Sequence, residues 1–498
     1  MTAKFPLLVR EAFTKLDRET AHLATNAPRW ADVFTPPDHQ GALDPDRPMV
    51  IGDRGTGKSF WSSVLISNEI RNIVATEYPT LALKSVEGRL GFSDAAMAVN
   101  ASHPSATEIA TIMQAGFKAE DLWRAVLLRQ APCPPPEMPD GSQSWQAAVE
   151  WVAADPARRN ADFRTLDQAL IESGKRYVLV FDALDVVADH WAAIRSQIEG
   201  MIKLGLAVRA LQAVRVKFFI RPDMAEDRRI WDVGDASKLR HREVNLNWRR
   251  RDLYGLLWTL LANAQDAAGD SGGKAFRDHC SQRLGLQFQY QYDSWRPPFV
   301  LVDDEARQQE VFRALAGDYM GTAARNGDTY KWVPNHLSDA AGYAAPRTFL
   351  LAMQKAATET KTGDTVLNRA GIHDGAREAS KLRVQELLED YKWMNTVLKD
   401  MANLVVPITS EGLISRWKES GTWASLKSMG MPDGQDRRFI PPGNVLEMKN
   451  EHEALLSLIE QLKHLKIFFP LRDGRINMPD LFRLQANVKR KGGMKPRA

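Results

Sequence analysis

The residues Gly52-Asp53-Arg54-Gly55-Thr56-Gly57-Lys58-Ser59 have the types and spacing of a phosphate-binding loop. Its glycines let the backbone curl so that successive N–H groups point inward, and a helix beginning at Lys58 would add its positive N-terminus. Lys58 would then reach the β- and γ-phosphates of a nucleotide, and Ser59 would place its hydroxyl on Mg²⁺. With Phe60 added, this loop is the expected binding set for ATP or GTP. A glycine-rich turn can be only a turn. Here the Lys-Ser pair and the apolar run Met49-Val50-Ile51 supply the strand, turn and helix that the chemistry demands.

A second candidate group closes the run Tyr177-Val178-Leu179-Val180-Phe181-Asp182-Ala183-Leu184-Asp185. Five β-formers without polar interruption suit a strand buried on both faces of a parallel sheet. An acid at the end of such a strand is costly to bury unless it meets a cation or donors, and that edge is where doubly wound sheets keep their ligands. Asp182 is therefore expected to hold Mg²⁺ through water opposite Ser59; the alternative is a helix N-cap, with no metal implied. Asp185 either faces the same site or caps the following helix. Arg221 ends the run Val216-Lys217-Phe218-Phe219-Ile220, where it would report on the γ-phosphate or else form a surface ion pair with Asp223 or Glu226.

The elements that must position these groups follow from pattern. Residues Leu7 to Leu23 read as an amphipathic helix, and Pro28 to Pro48 as a loop-rich approach to the first strand. Ala75 to Leu90 contains a strand and turn of poor periodicity. Glu108 to Arg129 reads as helix, and the proline-rich run Ala131 to Gly141 as a surface loop in preference to a groove-binding ligand. Val186 to Val214 reads as one helix with Trp191 in its core face, Val244-Asn245-Leu246 as a further strand, and Trp248 as the start of a leucine-rich helix. Gly269 to Pro298 reads as surface loop, with Gly272-Gly273 a flexible spot. Glu305 to Tyr319 and His336 to Thr358 read as helical, with Pro346 suited to a first turn and Arg347 after it.

Composition bounds the class. A chain of 498 residues exceeds one core and implies two to four domains. With 44% hydrophobic and 26% charged residues it has a globular composition, and a net charge of +4 leaves any nucleic-acid argument to local clusters. Only Cys133 and Cys280 are present, which excludes a disulfide framework or a cysteine metal site and fits a reducing cytoplasmic setting. No run of about 18 apolar residues occurs, so no membrane span is expected.

The loop with Arg-Gly inside it, the Phe-Asp-Ala-Leu-Asp end of the second strand, and the arginine-tipped strand Val216 to Arg221 together resemble motifs of bacterial P-loop ATPases of the signal-transduction (STAND) type. The phrase Leu246-Asn247-Trp248 before a leucine-rich helix and the Gly342…Pro346-Arg347 phrase add to the likeness, which spans roughly residues 45 to 360 and extends to AAA+ proteins. The resemblance implies an α/β fold: a parallel-sheet P-loop NTPase core with a helical lid and a C-terminal winged-helix-like domain, divided at 1–247, 248–375 and 376–498. It implies that Lys58, Asp182, Asp185, Arg221 and Arg347 do catalytic work, Asp182 as the Walker B acid, Arg221 as sensor and Arg347 from the lid. It also implies a homo-oligomer acting with a partner effector protein, as ATPases of bacterial defence modules do. Ala183 departs from the pattern, because a second acid often follows the Walker B aspartate there.

The C-terminal third fits that architecture. Ala376 to Leu404 is a long amphipathic pattern, Glu451 to Lys466 a helix with leucines on one face, and Ile467 to Met478 a hairpin about Asp473-Gly474, which is how a winged helix ends. After Asp480 the chain carries Arg483, Lys489, Arg490, Lys491, Lys495 and Arg497 and no acid. Such a cluster either meets nucleic-acid phosphates or is a solvated tail. The expected function is an ATP-binding, slowly hydrolysing switch controlling a partner; the alternative is a DNA-binding AAA+-like ATPase that positions other proteins.

Overall fold

The computed structural model describes residues 5–16, 28–94, 102–227, 229–265, 271–361, 365–429, 445–446 and 448–490. The chain forms two compact units, one of Ala21–Trp30 and Thr35–Leu246, the other of Met1–Thr20, Ala31–Phe34 and Asn247–Ala498. The first is an α/β unit and holds the phosphate-loop motif.

Its sheet has five strands: β1 (Met49–Ile51), β2 (Val86–Phe92), β3 (Arg176–Phe181), β4 (Val214–Ile220) and β5 (Val244–Asn245), in the order β2-β3-β4-β1-β5. Every pairing is parallel. The three inner strands are mostly apolar because helices cover both faces, Lys217 being the buried exception, and Tyr177 to Phe181 are fully buried. On one face Phe181 stacks on Phe218 at 5.4 Å and meets Trp123 edge-on at 5.4 Å. Since β4 lies between β1 and β3, the phosphate loop after β1, Arg221 after β4 and Asp182 after β3 share one edge of the sheet.

Several expected elements are corrected. The helix expected over Glu108 to Arg129 is two, Ala106–Gln114 and Ala119–Arg129, separated where Gly116 adopts φ 90°. The helix expected from Val186 to Val214 spans only Trp191–Val208, and Val214 instead opens β4. The cause is Asp167, whose carboxylate accepts the amides of Gln212 at 3.0 Å and Ala213 at 2.7 Å and turns the chain into the strand. Residues 131–141 carry no helix or strand, as expected.

The second unit is mainly helical. The N-terminal helix, expected over Leu7 to Leu23, spans Phe5–Thr14, and residues 17–23 lie outside those described. It packs in this unit, where Arg10 donates to the carbonyls of Val366 at 3.0 Å and Thr365 at 2.6 Å. Gly269 to Pro298 is not a surface loop: Ser271–Leu284 is helical and Gln289–Gln291 pairs with Ser294–Arg296 in a hairpin. Gly272 and Gly273 serve close approach there, since a Cβ on Gly272 would lie 2.9 Å from the Ala12 Cβ and one on Gly273 2.7 Å from the Ala264 carbonyl oxygen. The expected helix His336 to Thr358 is two, Thr329–Leu337 and Pro346–Glu359, broken where Asp339 accepts the amides of Ala341 and Tyr343 at 2.8 and 3.1 Å. Ala376 to Leu404 is likewise divided, into Arg369–Asp390 and Trp393–Asp400.

Towards the C-terminus the helix Glu451–His464 precedes an antiparallel pair, Phe469–Pro470 with Ile476–Asn477, whose turn includes Gly474 at φ 79°. Ile476 of this pair and Leu455 and Leu458 of the helix share a core with Trp417 and Phe482. Among the described residues no helix is long and apolar enough to cross a membrane.

Candidate nucleotide site

The phosphate loop has the backbone its glycines were expected to supply. Gly55 and Gly57 adopt φ 80° and 101°, the left-handed region that costs other residues about 1–2 kcal/mol each. Gly52 is needed for another reason: a Cβ there would lie 2.4 Å from the Thr56 hydroxyl. That hydroxyl donates to the Asp53 carbonyl at 2.8 Å and closes the loop. Gly57 caps the helix Lys58–Ile66 without a side chain, and its first turn carries no acid. The positive helix end therefore faces the loop unneutralised by any first-turn carboxylate. Lys58 Nζ donates to the carbonyls of Gly52 at 2.8 Å and Asp53 at 3.0 Å, which fixes the ammonium inside the curl. Phe60 packs edge-on against Trp61, its ring centre 5.4 Å away.

Asp182 is 2% exposed. Burial raises its pKa, against the Ser59 hydroxyl, the Lys58 charge and the Ala183 N–H, which stabilise the carboxylate. Burial lowers the pKa of Lys58, with Asp182 opposing. Both groups are pushed towards neutrality, so desolvation outweighs their mutual attraction. The buried Asp182 carboxylate and the Ser59 hydroxyl bonded to it form a donor set that suits a hard divalent cation. Among the described residues no cluster of three or more His, Cys, Asp or Glu gathers to hold a metal. Mg²⁺ here would take only Ser59 and Asp182 from the protein, leaving its other positions to phosphate and water, as Mg²⁺ commonly does.

Arg221 joins this edge. Its guanidinium bonds Asp223 at 3.1 Å and Asp185 at 3.2 Å, so both the ion pair with Asp223 and a place beside Asp185 are realised. Asp185 sits in a single 3-10 turn, Leu184–Val186, and its charge reaches Lys58 and Asp182. Arg54 follows Asp53 on the loop. Arg347 is placed differently: it lies in the helical unit at the start of Pro346–Glu359 and pairs with Glu386 at 3.2 Å.

Two features were not legible from residue type. Lys217 is fully buried on β4, donating to the carbonyls of Asp44 at 2.8 Å and Gly41 at 3.2 Å, and thereby holds the segment that leads into β1. Burial pushes its pKa down to about 7 against the pull of Asp44. Ser93 follows Phe92 just beyond β2, as Asp182 follows its ladder partner Phe181 beyond β3, so both lie at the same edge of the sheet. A lysine inside a β-run and a serine after one carry no periodic signal.

No family model matches the sequence, and no curated protein does. Similar solved structures include the ORC2 protein of Aeropyrum pernix in ADPNP and ADP complexes, at 12% identity and TM-score 0.38 over 88% of this chain and 85% of that one. The Walker-type ATPase of Pyrococcus abyssi is similar at 11% identity and TM-score 0.37, over 93% and 97%. Cdc6p of Pyrobaculum aerophilum is similar at 12% identity and TM-score 0.26, over 89% and 86%. At these scores and identities no functional property passes from those proteins to this chain.

Proposed function

We propose that this protein is an ATP-binding, slowly hydrolysing molecular switch that controls a partner protein. The single observation that carries the reading is the convergence of Lys58, Asp182 and Arg221 on one sheet edge beside a left-handed glycine loop. Ser59 and Asp182 would hold Mg²⁺, which when bound supplies positive charge to the phosphates. Lys58 and the loop N–H groups would bind the β- and γ-phosphates, and Arg221 would sense the γ-phosphate while Asp185 and Asp223 hold its guanidinium in place. We assign Asp185 to orienting Arg221, because its carboxylate is already committed to that guanidinium. The role of Arg347 as a lid arginine rests on the resemblance alone.

Slow turnover follows from Ala183, which can neither accept a proton nor hold water in line. Partner control in a bacterial defence module and a homo-oligomeric state are supported by the resemblance to STAND ATPases. The test is single-turnover hydrolysis beside equilibrium ATP binding: tight binding with slow turnover is expected, whereas fast turnover would remove the switch reading.

A second reading, DNA binding through the basic C-terminus, draws on Lys489 and Arg490, which are exposed. Arg483 cannot contribute as the tail reading supposed: it is fully buried, bonded to Asp480 at 2.7 Å and to the Val488 carbonyl at 3.0 Å. Lys491, Lys495 and Arg497 lie outside the described residues. Deleting residues 491–498 should reduce the log-log salt slope of duplex-DNA binding by about 2–3 if those side chains meet phosphates. Unaltered slopes would dismiss the tail.

A further inference from the structure

A hydrolytic site needs something to receive the proton of the attacking water, and at this sheet edge Ala183 offers nothing while Asp185 is bound to Arg221. One strand away stands a serine–histidine pair. Phe92 and Phe181 form the last rung of the parallel ladder, where the Asp182 amide donates to the Phe92 carbonyl at 3.0 Å, so Ser93 and Asp182 are the next residues along the two strands. Opposed residues on neighbouring strands lie about 5 Å apart and share a face. Phe92 and Phe181 share a face, both packing on Trp123 at 6.3 and 5.4 Å, and strand alternation would turn the next residues, Ser93 and Asp182, to the other face, with the His103 ring at the strand end 5.6 Å from that of Phe92.

Ser93 Oγ lies 3.2 Å from His103 Nε2, and His103 Nδ1 lies 3.1 Å from the Pro104 carbonyl oxygen. A carbonyl only accepts, so Nδ1 carries the proton of the neutral ring; Nε2 is then the acceptor and the serine hydroxyl donates to it. Serine and histidine are each 2% exposed. Burial lowers the His103 pKa, opposed by the Pro104 carbonyl and the charge of Glu108. A neutral imidazole oriented by a carbonyl and aimed at a buried hydroxyl is the arrangement that makes a hydroxyl able to accept a proton as it passes its own on.

We propose that the Ser93–His103 pair receives the proton of the water that attacks the γ-phosphate, in place of the acid absent at Ala183; this rests on the ATPase reading above. The water oxygen bonds to the γ-phosphorus while the bond from that phosphorus to the β,γ-bridging oxygen breaks, its electron pair leaving with ADP. The water proton passes to Ser93 Oγ as the serine proton passes to His103 Nε2, giving ADP, inorganic phosphate and an imidazolium that returns its proton to solvent. Ser93 is the catalytic residue, and His103 is the positioning residue that acts through it. The charged groups bearing on this exchange are Glu108 beside His103, and Lys58, Asp182 and Asp185 at the sheet edge.

The test uses the full chain as wild type, His103→Gln, Ser93→Ala and Asp185→Ala. Measurements are single-turnover ATP hydrolysis from pH 5.5 to 9, affinity for a fluorescent ATP analogue, urea midpoints, and ¹⁵N resonances of the His103 ring. Glutamine retains a hydrogen-bond acceptor for Ser93 but cannot take up the proton. Expected are a loss of about 10²-fold or more in turnover for His103→Gln and Ser93→Ala, affinities within about twofold of wild type, and a smaller loss for Asp185→Ala. Wild-type turnover should rise with pH through one ionisation below the usual imidazole value, a step missing in His103→Gln. The His103 ring should show the Nδ1–H tautomer and shift when a non-hydrolysable ATP analogue binds. The proposal is overturned if the His103→Gln rate or pH profile matches wild type, if its affinity and urea midpoint fall as far as its rate, if the ring is indifferent to the analogue, or if wild type binds ATP without hydrolysing it. Failure of wild type to bind ATP would instead overturn the ATPase reading on which this one rests.

Discussion

Lys217 shows how much a single side chain can hide. Its place in Val216 to Ile220 reads as one polar residue in a strand, yet it is buried, with its amine on two backbone carbonyls. Above about pH 7 the folded chain holds this amine neutral, while the unfolded chain keeps it charged up to its ordinary 10.5. The penalty for burying the charge is therefore full below pH 7, shrinks between pH 7 and 10.5, and vanishes above. Wild type should gain stability relative to Lys217→Met as pH rises from 7 to 10, by up to about 1.4 kcal/mol per pH unit. Urea midpoints of both proteins across that range decide it, and a constant gap would contradict it. The phosphate loop, by contrast, was readable because its function lies in residue types at fixed spacing. The serine–histidine pair was not, because only the pairing of β2 with β3 brings Ser93 to the sheet edge that carries Asp182, and His103 lies ten residues further along the chain.

At the scale of elements, the sheet strands were legible wherever burial on both faces left continuous apolar runs, as in Tyr177 to Phe181. Boundaries escaped where one side chain overrides the pattern. Asp167 is the clearest case, since it accepts the amides of Gln212 and Ala213 and ends what the periodicity continued as helix. Asp167→Ala should destabilise the protein by about 1–3 kcal/mol, because two strand-entry N–H groups lose a buried acceptor. A denaturant titration measures this, and a midpoint equal to wild type would show the turn to be held by other means. The hairpin Gln289–Arg296 escaped because its two-residue turn is Tyr292-Asp293, at φ 49° and 55°, where such turns usually use Asn-Gly. The helix Ser271–Leu284 escaped because its glycines read as a loop, whereas they admit close neighbours.

At the scale of the molecule, the division after Leu246 falls just ahead of the leucine-rich helix that the periodicity marked as a boundary. The membership of the N-terminal helix was not legible, because an amphipathic pattern says which face is buried but not against what. Both units carry their own cores, and the sheet unit alone supplies Lys58, Ser59, Asp182, Asp185 and Arg221. Equilibrium binding of ATP with Mg²⁺ to wild type and Lys58→Ala tests the central claim most directly. Removing a charge-assisted phosphate contact should weaken binding by about 10- to 100-fold while the urea midpoint stays at or above that of wild type, since a partly buried ammonium whose charge burial disfavours is lost with it. Equal affinity in the two proteins would contradict the assignment of this loop as the nucleotide site.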